Sequence, residues 1–123
     1  MGLLIAGQWQ DQWYDTEASG GRFKREESGF RHWVTVDGSA GPTGTGGFKA
    51  EPNRYHLYVS LACPWAHRTT IYRKLKGLED MISLSVVHPF MRDYGWTFKA
   101  DTGVIQDPIH QAKFMYEVYT AAK

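Results

Sequence analysis

One stretch constrains this chain more than any other: Tyr55-His56-Leu57-Tyr58-Val59-Ser60-Leu61-Ala62-Cys63-Pro64-Trp65-Ala66-His67-Arg68. Residues 54–62 alternate apolar and polar side chains and are rich in aromatic and β-branched types, which is the pattern of a strand. Pro64 follows the only cysteine among the 123 residues. Proline is favoured at the first helical position, where its missing N–H has no helical partner to lose. The stretch therefore predicts a strand, then a cysteine at or near a helix N-cap, then a helix. The N–H groups and positive dipole end of such a helix favour a thiolate over a thiol, and the thiolate is the form that attacks.

The residues that follow extend this into a unit. Residues 64–76 read as a helix with an apolar face of Ile71, Tyr72, Leu75 and Leu78. Arg73, Lys74 and Lys76 complement its negative end, and Gly77 is placed as the C′ residue. Residues 81–88 read as a second strand, with Ile82, Leu84 and Val86 on one face. Strand, helix and strand with a short return predict a right-handed parallel βαβ unit. Residues 89–106 are irregular. Asp107-Pro108 then offers a capped helix start, and a helix is predicted from there to about Ala122.

The N-terminal part is different in character. Residues 1–35 lack periodicity but carry Trp9, Trp13, Tyr14, Phe23, Phe30 and Trp33, which predicts an extended arm pinned by aromatic anchors. Residues 37–47 contain glycine at four of the last seven positions and read as a flexible loop. They are not a phosphate loop: Phe48-Lys49-Ala50-Glu51-Pro52 follows instead of Gly-Lys-Ser/Thr and a helix, and Lys49 stands where the third dinucleotide-binding glycine would be. The expected division is an arm and Gly-rich loop over 1–53 and an α/β domain portion over 54–123.

Composition narrows the function classes. A net charge of +1 with no long run of one sign gives no electrostatic case for nucleic acid or a charged membrane surface. No apolar run approaches the ~20 residues needed to span a bilayer, and Leu3 to Ala6 is too short for a signal segment. Met1-Gly2 begins like a myristoylation signal, but Ala6 stands where Ser or Thr is wanted. A single cysteine rules out an internal disulfide framework and suits a reducing compartment, so a cytoplasmic protein is expected. An aromatic share of 15% suits both core anchoring and pockets for flat ligands.

Three readings of Cys63 compete. It can be a small buried hydrophobe. It can be a metal ligand, but the chain has no second cysteine, and His32, His56, His67, His88 and His110 show no tight ligand spacing, so no metal is expected. Or it can be a reactive thiol, which the strand–Cys–Pro–helix setting favours. In Cys63-Pro64-Trp65-Ala66 an alanine stands where a resolving cysteine would be. A mixed disulfide formed at Cys63 must then be resolved by an outside thiol, and the abundant cytosolic one is glutathione. His67 and Arg68 fall on the first turns after the sulfur and are candidates for tuning the thiolate.

The run Leu57 to Arg68, with Cys63-Pro64-Trp65-Ala66-His67-Arg68 at its heart, resembles the glutathionyl-hydroquinone reductases, the Xi class of the glutathione transferases. Trp13-Tyr14-Asp15, Phe30-Arg31-His32-Trp33-Val34, Gly47-Phe48-Lys49-Ala50-Glu51 and Gly95-Trp96-Thr97-Phe98 resemble blocks of the same family. The resemblance implies a thioredoxin-like N-terminal domain followed by a helical one, a homodimer when intact, glutathione as co-substrate and glutathionyl-hydroquinones as substrates. It implies Cys63 as the nucleophile and Trp96 as a glutathione contact. It also implies that the chain is an N-terminal fragment. The cis-proline loop, the Glu-Ser pair for the γ-glutamyl end and the helical domain are expected beyond it, and a two-strand portion leaves a bare sheet edge. Two alternatives stand beside this: a noncatalytic fragment or interaction module, and a general glutathione-dependent thioltransferase or dehydroascorbate reductase.

Overall fold

The computed structural model describes residues 2–12, 15–22 and 27–122. Trp13, Tyr14 and Phe23, expected as aromatic anchors, lie outside the described residues, as do Met1 and Lys123. The chain divides into two compact units, one of Met1–Trp13 with His56–Lys123 and the other of Tyr14–Tyr55.

The first unit opens with a hairpin. β1 (Leu3–Ile5) and β2 (Gln8–Gln10) pair antiparallel, with Leu4 opposite Trp9. Ala6 and Gly7, at φ 49° and 76°, make the two-residue turn, whose left-handed backbone matches the twist of the flanking strands.

In the second unit, a single 3-10 turn spans Glu17–Ser19. β3 (Trp33–Thr35) and β4 (Gly47–Lys49) pair parallel, with Val34 opposite Phe48. The glycine-rich segment between them is stitched by side chains. The Trp33 indole N–H donates to Thr43 Oγ1 at 2.8 Å, Thr35 Oγ1 donates to the Ser39 carbonyl at 2.9 Å, and the Gly46 N–H donates to His32 Nδ1 at 3.2 Å. The Asp37 carboxylate accepts from the Ser39 hydroxyl and N–H, which lowers its pKa. A Cβ at Gly47 would strike the Ser39 carbonyl, so the β4 start requires glycine.

The strand–helix–strand expectation is met within a residue or two at each boundary. β5 is Tyr55–Ser60, α1 is Pro64–Leu75 and β6 is Ile82–Val87, and β5 and β6 lie side by side in one sheet. Helix α1 ends as the glycine predicts. Gly77 adopts φ 63°, the Leu78 N–H reaches the Arg73 carbonyl at 2.9 Å, and the Gly77 N–H reaches the Lys74 carbonyl at 3.0 Å. This pair of bonds satisfies two carbonyls that the last helical turn leaves without partners. Arg73 then ties the helix to the next strand. Its Nε donates to the Ile82 carbonyl at 2.7 Å and its Nη2 to the Glu79 carbonyl at 2.8 Å.

The expected helix from Asp107 is corrected by the structure. The helical residues are Met115–Ala121, here α2, and residues 108–110 form bends. Gln111 takes φ 54°, which no right-handed helix can contain. The Asp107 carboxylate accepts from the N–H groups of Ile109, His110 and Ala112 at 3.0, 3.1 and 3.1 Å, and so caps a turn that does not propagate. Helix α2 is started instead by Glu117, whose carboxylate reaches back to the N–H groups of Lys113 and Phe114 at 2.7 and 3.1 Å.

The core of this unit is Val87, Phe98 and Met115, with Tyr58, Trp96, Ala112 and Val118 packed against it. Backbone pairing brings the irregular segment after β6 into register with it. Val86 pairs with Ile105, the His88 N–H donates to the Thr97 carbonyl at 2.8 Å, and the Phe98 N–H donates to the Lys113 carbonyl at 2.8 Å.

Candidate functional site

Cys63 is the N-cap residue of α1, with extended backbone angles of φ −92° and ψ 114° and Pro64 at the first helical position. Its backbone is fully engaged. The Cys63 N–H donates to the Ser60 carbonyl at 3.1 Å, and the Cys63 carbonyl accepts the His67 N–H at 3.1 Å as the first helical bond. One residue earlier, the Ala62 N–H donates to Ser60 Oγ at 3.2 Å, which fixes the turn from β5 into the helix. The thiol is free, half-buried and makes no capping hydrogen bond. The backbone is thus pinned while the sulfur stays uncommitted.

His67 and Arg68 are both exposed. The Arg68 guanidinium lies over the Trp65 ring at 5.4 Å from its centroid, a cation–π contact within the same helix. What His67 shares with Cys63 is the backbone hydrogen bond.

Trp96 is placed by other elements. It is half-buried against the Val87–Phe98–Met115 core, and its carbonyl accepts the Met115 N–H at 2.9 Å. The segment that carries it is closed on both sides. Arg92 and Gly95 exchange backbone hydrogen bonds of 3.3 and 2.8 Å before it. After it, Thr97 pairs with Phe114, and Thr97 Oγ1 donates to the Lys113 carbonyl at 3.0 Å. His88 adds a further hold, with Nε2 3.0 Å from the Asp101 carboxylate and Nδ1 accepting the Phe90 N–H at 3.2 Å. The Thr102 N–H, and then His88, lower the Asp101 pKa.

A partly buried polar network starts from the strand that leads to Cys63, and no local sequence signal marks it. The Tyr58 hydroxyl donates to Asp107 Oδ1 at 2.8 Å. Burial, the hydrogen bond to Asp107 and that residue's negative charge all push the Tyr58 pKa up, so the phenol stays protonated. Burial alone would raise the Asp107 carboxyl, but the N–H groups of Ile109 and Ala112, the Tyr58 hydroxyl and the His110 N–H outweigh it and leave the pKa lowered. His56 bridges two hydroxyls, Nδ1 to Ser83 at 2.6 Å and Nε2 to Ser85 at 2.8 Å. The Ser85 hydroxyl donates to the Gln106 carbonyl at 3.0 Å, so in the neutral ring Nε2 carries the proton and Nδ1 accepts from Ser83. Burial lowers the His56 pKa against the pull of Asp107, which suits this neutral form. Tyr58 and Asp107 are separated by 49 residues, and nothing local in the sequence signals their meeting.

Among the described residues no group of three or more His, Cys, Asp or Glu side chains is arranged to hold a metal ion. No described helix is long and apolar enough to cross a membrane.

No family model matches the chain. It is 60% identical over 123 residues to the glutathionyl-hydroquinone reductase YqjG of Escherichia coli strain K12, covering 99% of this chain and 38% of that protein. It is 52% identical over 122 residues to the glutathionyl-hydroquinone reductase PcpF of Sphingobium chlorophenolicum, covering 99% of this chain and 36% of the relative. Among solved structures, the Xi-class glutathione transferase of Natrialba magadii superposes with a TM-score of 0.75 at 40% identity, over 97% of this chain and 33% of that one. The glutathione-bound structure of YqjG superposes with a TM-score of 0.71 at 61% identity, over 75% of this chain and 30% of that one. The chain therefore spans little more than a third of the length of these two curated relatives.

Proposed function

We propose that this chain, a homologue of the Xi-class glutathionyl-hydroquinone reductases over nearly all of its own length, supplies the nucleophile of such an enzyme. Cys63 is that nucleophile. Its thiolate attacks the glutathionyl sulfur of a glutathionyl-hydroquinone, and a sulfur–sulfur bond forms as the carbon–sulfur bond breaks. The electron pair leaves with the ring carbon, which takes up a proton to give the hydroquinone. A second glutathione thiolate then attacks the Cys63–glutathione mixed disulfide, releasing glutathione disulfide and restoring the cysteine. The aromatic carbon is reduced by two electrons as the thioether sulfur of the adduct and the thiol of the second glutathione become a disulfide, so the exchange balances.

One observation carries this reading: the only cysteine sits at a helix N-cap with its backbone pinned and its thiol uncommitted. Ala66 supports the one-thiol cycle, because an internal resolving cysteine is missing from the usual place. Trp96 is proposed as a wall of the glutathione site. A half-buried indole, held by its own backbone, offers a fixed flat surface to the ligand. Residues 54–123 are proposed as the first half of a thioredoxin-like domain preceded by the arm and loop of 1–53, in a cytoplasmic homodimeric enzyme.

The test is the release of hydroquinone from a glutathionyl adduct by the enzyme carrying this sequence. Cys63→Ser is expected to abolish it. Intact mass after a single turnover without free glutathione should show one glutathione on wild-type Cys63. Equal rates for wild type and Cys63→Ser would sink the reading.

A further inference from the structure

We infer that Trp9, on the N-terminal hairpin, is a positioning residue for Trp96. Its consequence for glutathione rests on the role proposed for Trp96 above.

Trp9 touches residues on both of the segments that hold Trp96 in place. On the side before Trp96, the Trp9 indole N–H donates to the Asp93 carbonyl at 2.9 Å, across 84 residues of sequence. Asp93 lies inside the turn closed by Arg92 and Gly95. Gly95 is buried at φ +74°, and a Cβ on it would lie 2.7 Å from Trp9 Cη2. The indole therefore rests directly on the backbone that precedes Trp96. On the other side, Trp9 stacks on Tyr116 at 5.2 Å between ring centroids and 20° between planes. Tyr116 stacks in turn on Phe114 at 5.6 Å and 8°, and Phe114 lies 5.3 Å from Tyr94 in the same turn. Between Phe114 and Tyr116 sits Met115, whose N–H holds the Trp96 carbonyl.

The hairpin is built to deliver this ring. A side chain at Gly2 would collide with the Trp9 indole, so glycine is needed behind it as well as in front. The Ala6-Gly7 turn sets the register that places Trp9 opposite Leu4. A binding side chain that is ordered before its ligand arrives avoids the entropy loss of ordering on binding, so loosening the clamp should weaken the ligand.

The experiment compares wild type, Trp9→Leu, Trp9→Phe and Trp96→Ala by amide hydrogen exchange and by glutathione titration. Trp9→Leu is expected to speed exchange at the Gly95 and Met115 amides by about tenfold, with the Leu78 and Ile82 amides unchanged. It is expected to weaken glutathione by about fivefold. Trp9→Phe keeps a ring but loses the N–H donor, and should fall between; it also serves if Trp9→Leu does not fold. Unchanged exchange at Gly95 and Met115, or an equal rise at all four amides, overturns the clamp. So does a Trp9→Leu protein that binds glutathione normally when Trp96→Ala does not. Failure of the Trp96 role reads differently: Trp96→Ala then leaves glutathione affinity intact, while the exchange result still decides the clamp.

Discussion

Two X-Pro steps in this chain carry the same helix-start signal and do opposite things. Cys63-Pro64 opens a 12-residue helix although the cysteine side chain makes no capping bond. Asp107-Pro108 has the better capping residue and opens no helix, because its carboxylate is taken by three N–H groups of a tight turn and by the Tyr58 hydroxyl. The difference teaches what a cap signal specifies. It calls for an acceptor facing consecutive N–H groups, and a turn meets that demand as well as a helix does. It also separates two uses of a loop-to-helix junction. Where the side chain serves structure, it is buried and saturated, as Asp107 is at 5% exposure. Where the backbone and a neighbouring hydroxyl make the turn, the side chain at the cap is left over for chemistry, as at Cys63.

The largest test of that contrast is Asp107→Ala. It strands the Tyr58 hydroxyl and the N–H groups of the turn, and should cost about 3 kcal/mol or more in urea unfolding. The same group sets an acid limit. Its folded pKa lies below the ordinary 3.8, so its stabilisation is complete above that pH and is lost as pH falls through the folded value. An Asp107→Asn protein should lack this acid limb. His56 adds a second slope of the same sign. Its folded pKa lies below the ordinary 6.5, so stability should rise with pH up to about that value, and His56→Gln should flatten the rise. Tyr58→Phe removes one of the four hydrogen bonds to Asp107 and is expected to cost about 1 kcal/mol.

Gln111 sharpens the comparison by sign. If the native state needs a left-handed residue there, Gln111→Gly should stabilise by about 0.5–1 kcal/mol. If a helix ran through this position, the same change would destabilise by a similar amount. The smallest effect belongs to Cys63→Ala, expected within about 0.5 kcal/mol of wild type because no cap bond is lost. A Cys63→Ala protein as unstable as Asp107→Ala would break the contrast outright.

Legibility in the sequence followed the range of the interactions. The β5–α1–β6 unit was readable because its signals are local and agree with one another: alternation through Val59, proline at the helix start, and Gly77 at its end. The placement of Cys63 at the N-cap was readable for the same reason. The hairpin at Leu3–Gln10 was not, because two three-residue strands are shorter than any periodicity window and Ala6-Gly7 is a weak turn signal beside Asn-Gly. The start of α2 is not legible because Glu117 caps it from inside, with Phe114 where a capping Ser or Thr would stand. The links from Tyr58 to Asp107 and from Trp9 to Asp93 bridge 49 and 84 residues, and pairing at that range leaves no trace in one sequence.

The Trp9 contact has a consequence for the order of assembly. The hairpin is synthesised before its docking partners and can close its own turn at once, since its strands are joined by two residues. Its docking partners, the Asp93 carbonyl and the Tyr116 ring, emerge only near the far end of these 123 residues. Closing so long a loop carries its entropy loss before any contact rewards it, so docking belongs to the late steps of folding. Until then the nascent chain exposes an indole and two strand edges to solvent. The residue that clamps the Trp96 segment in the native state is therefore also one that meets its partners late.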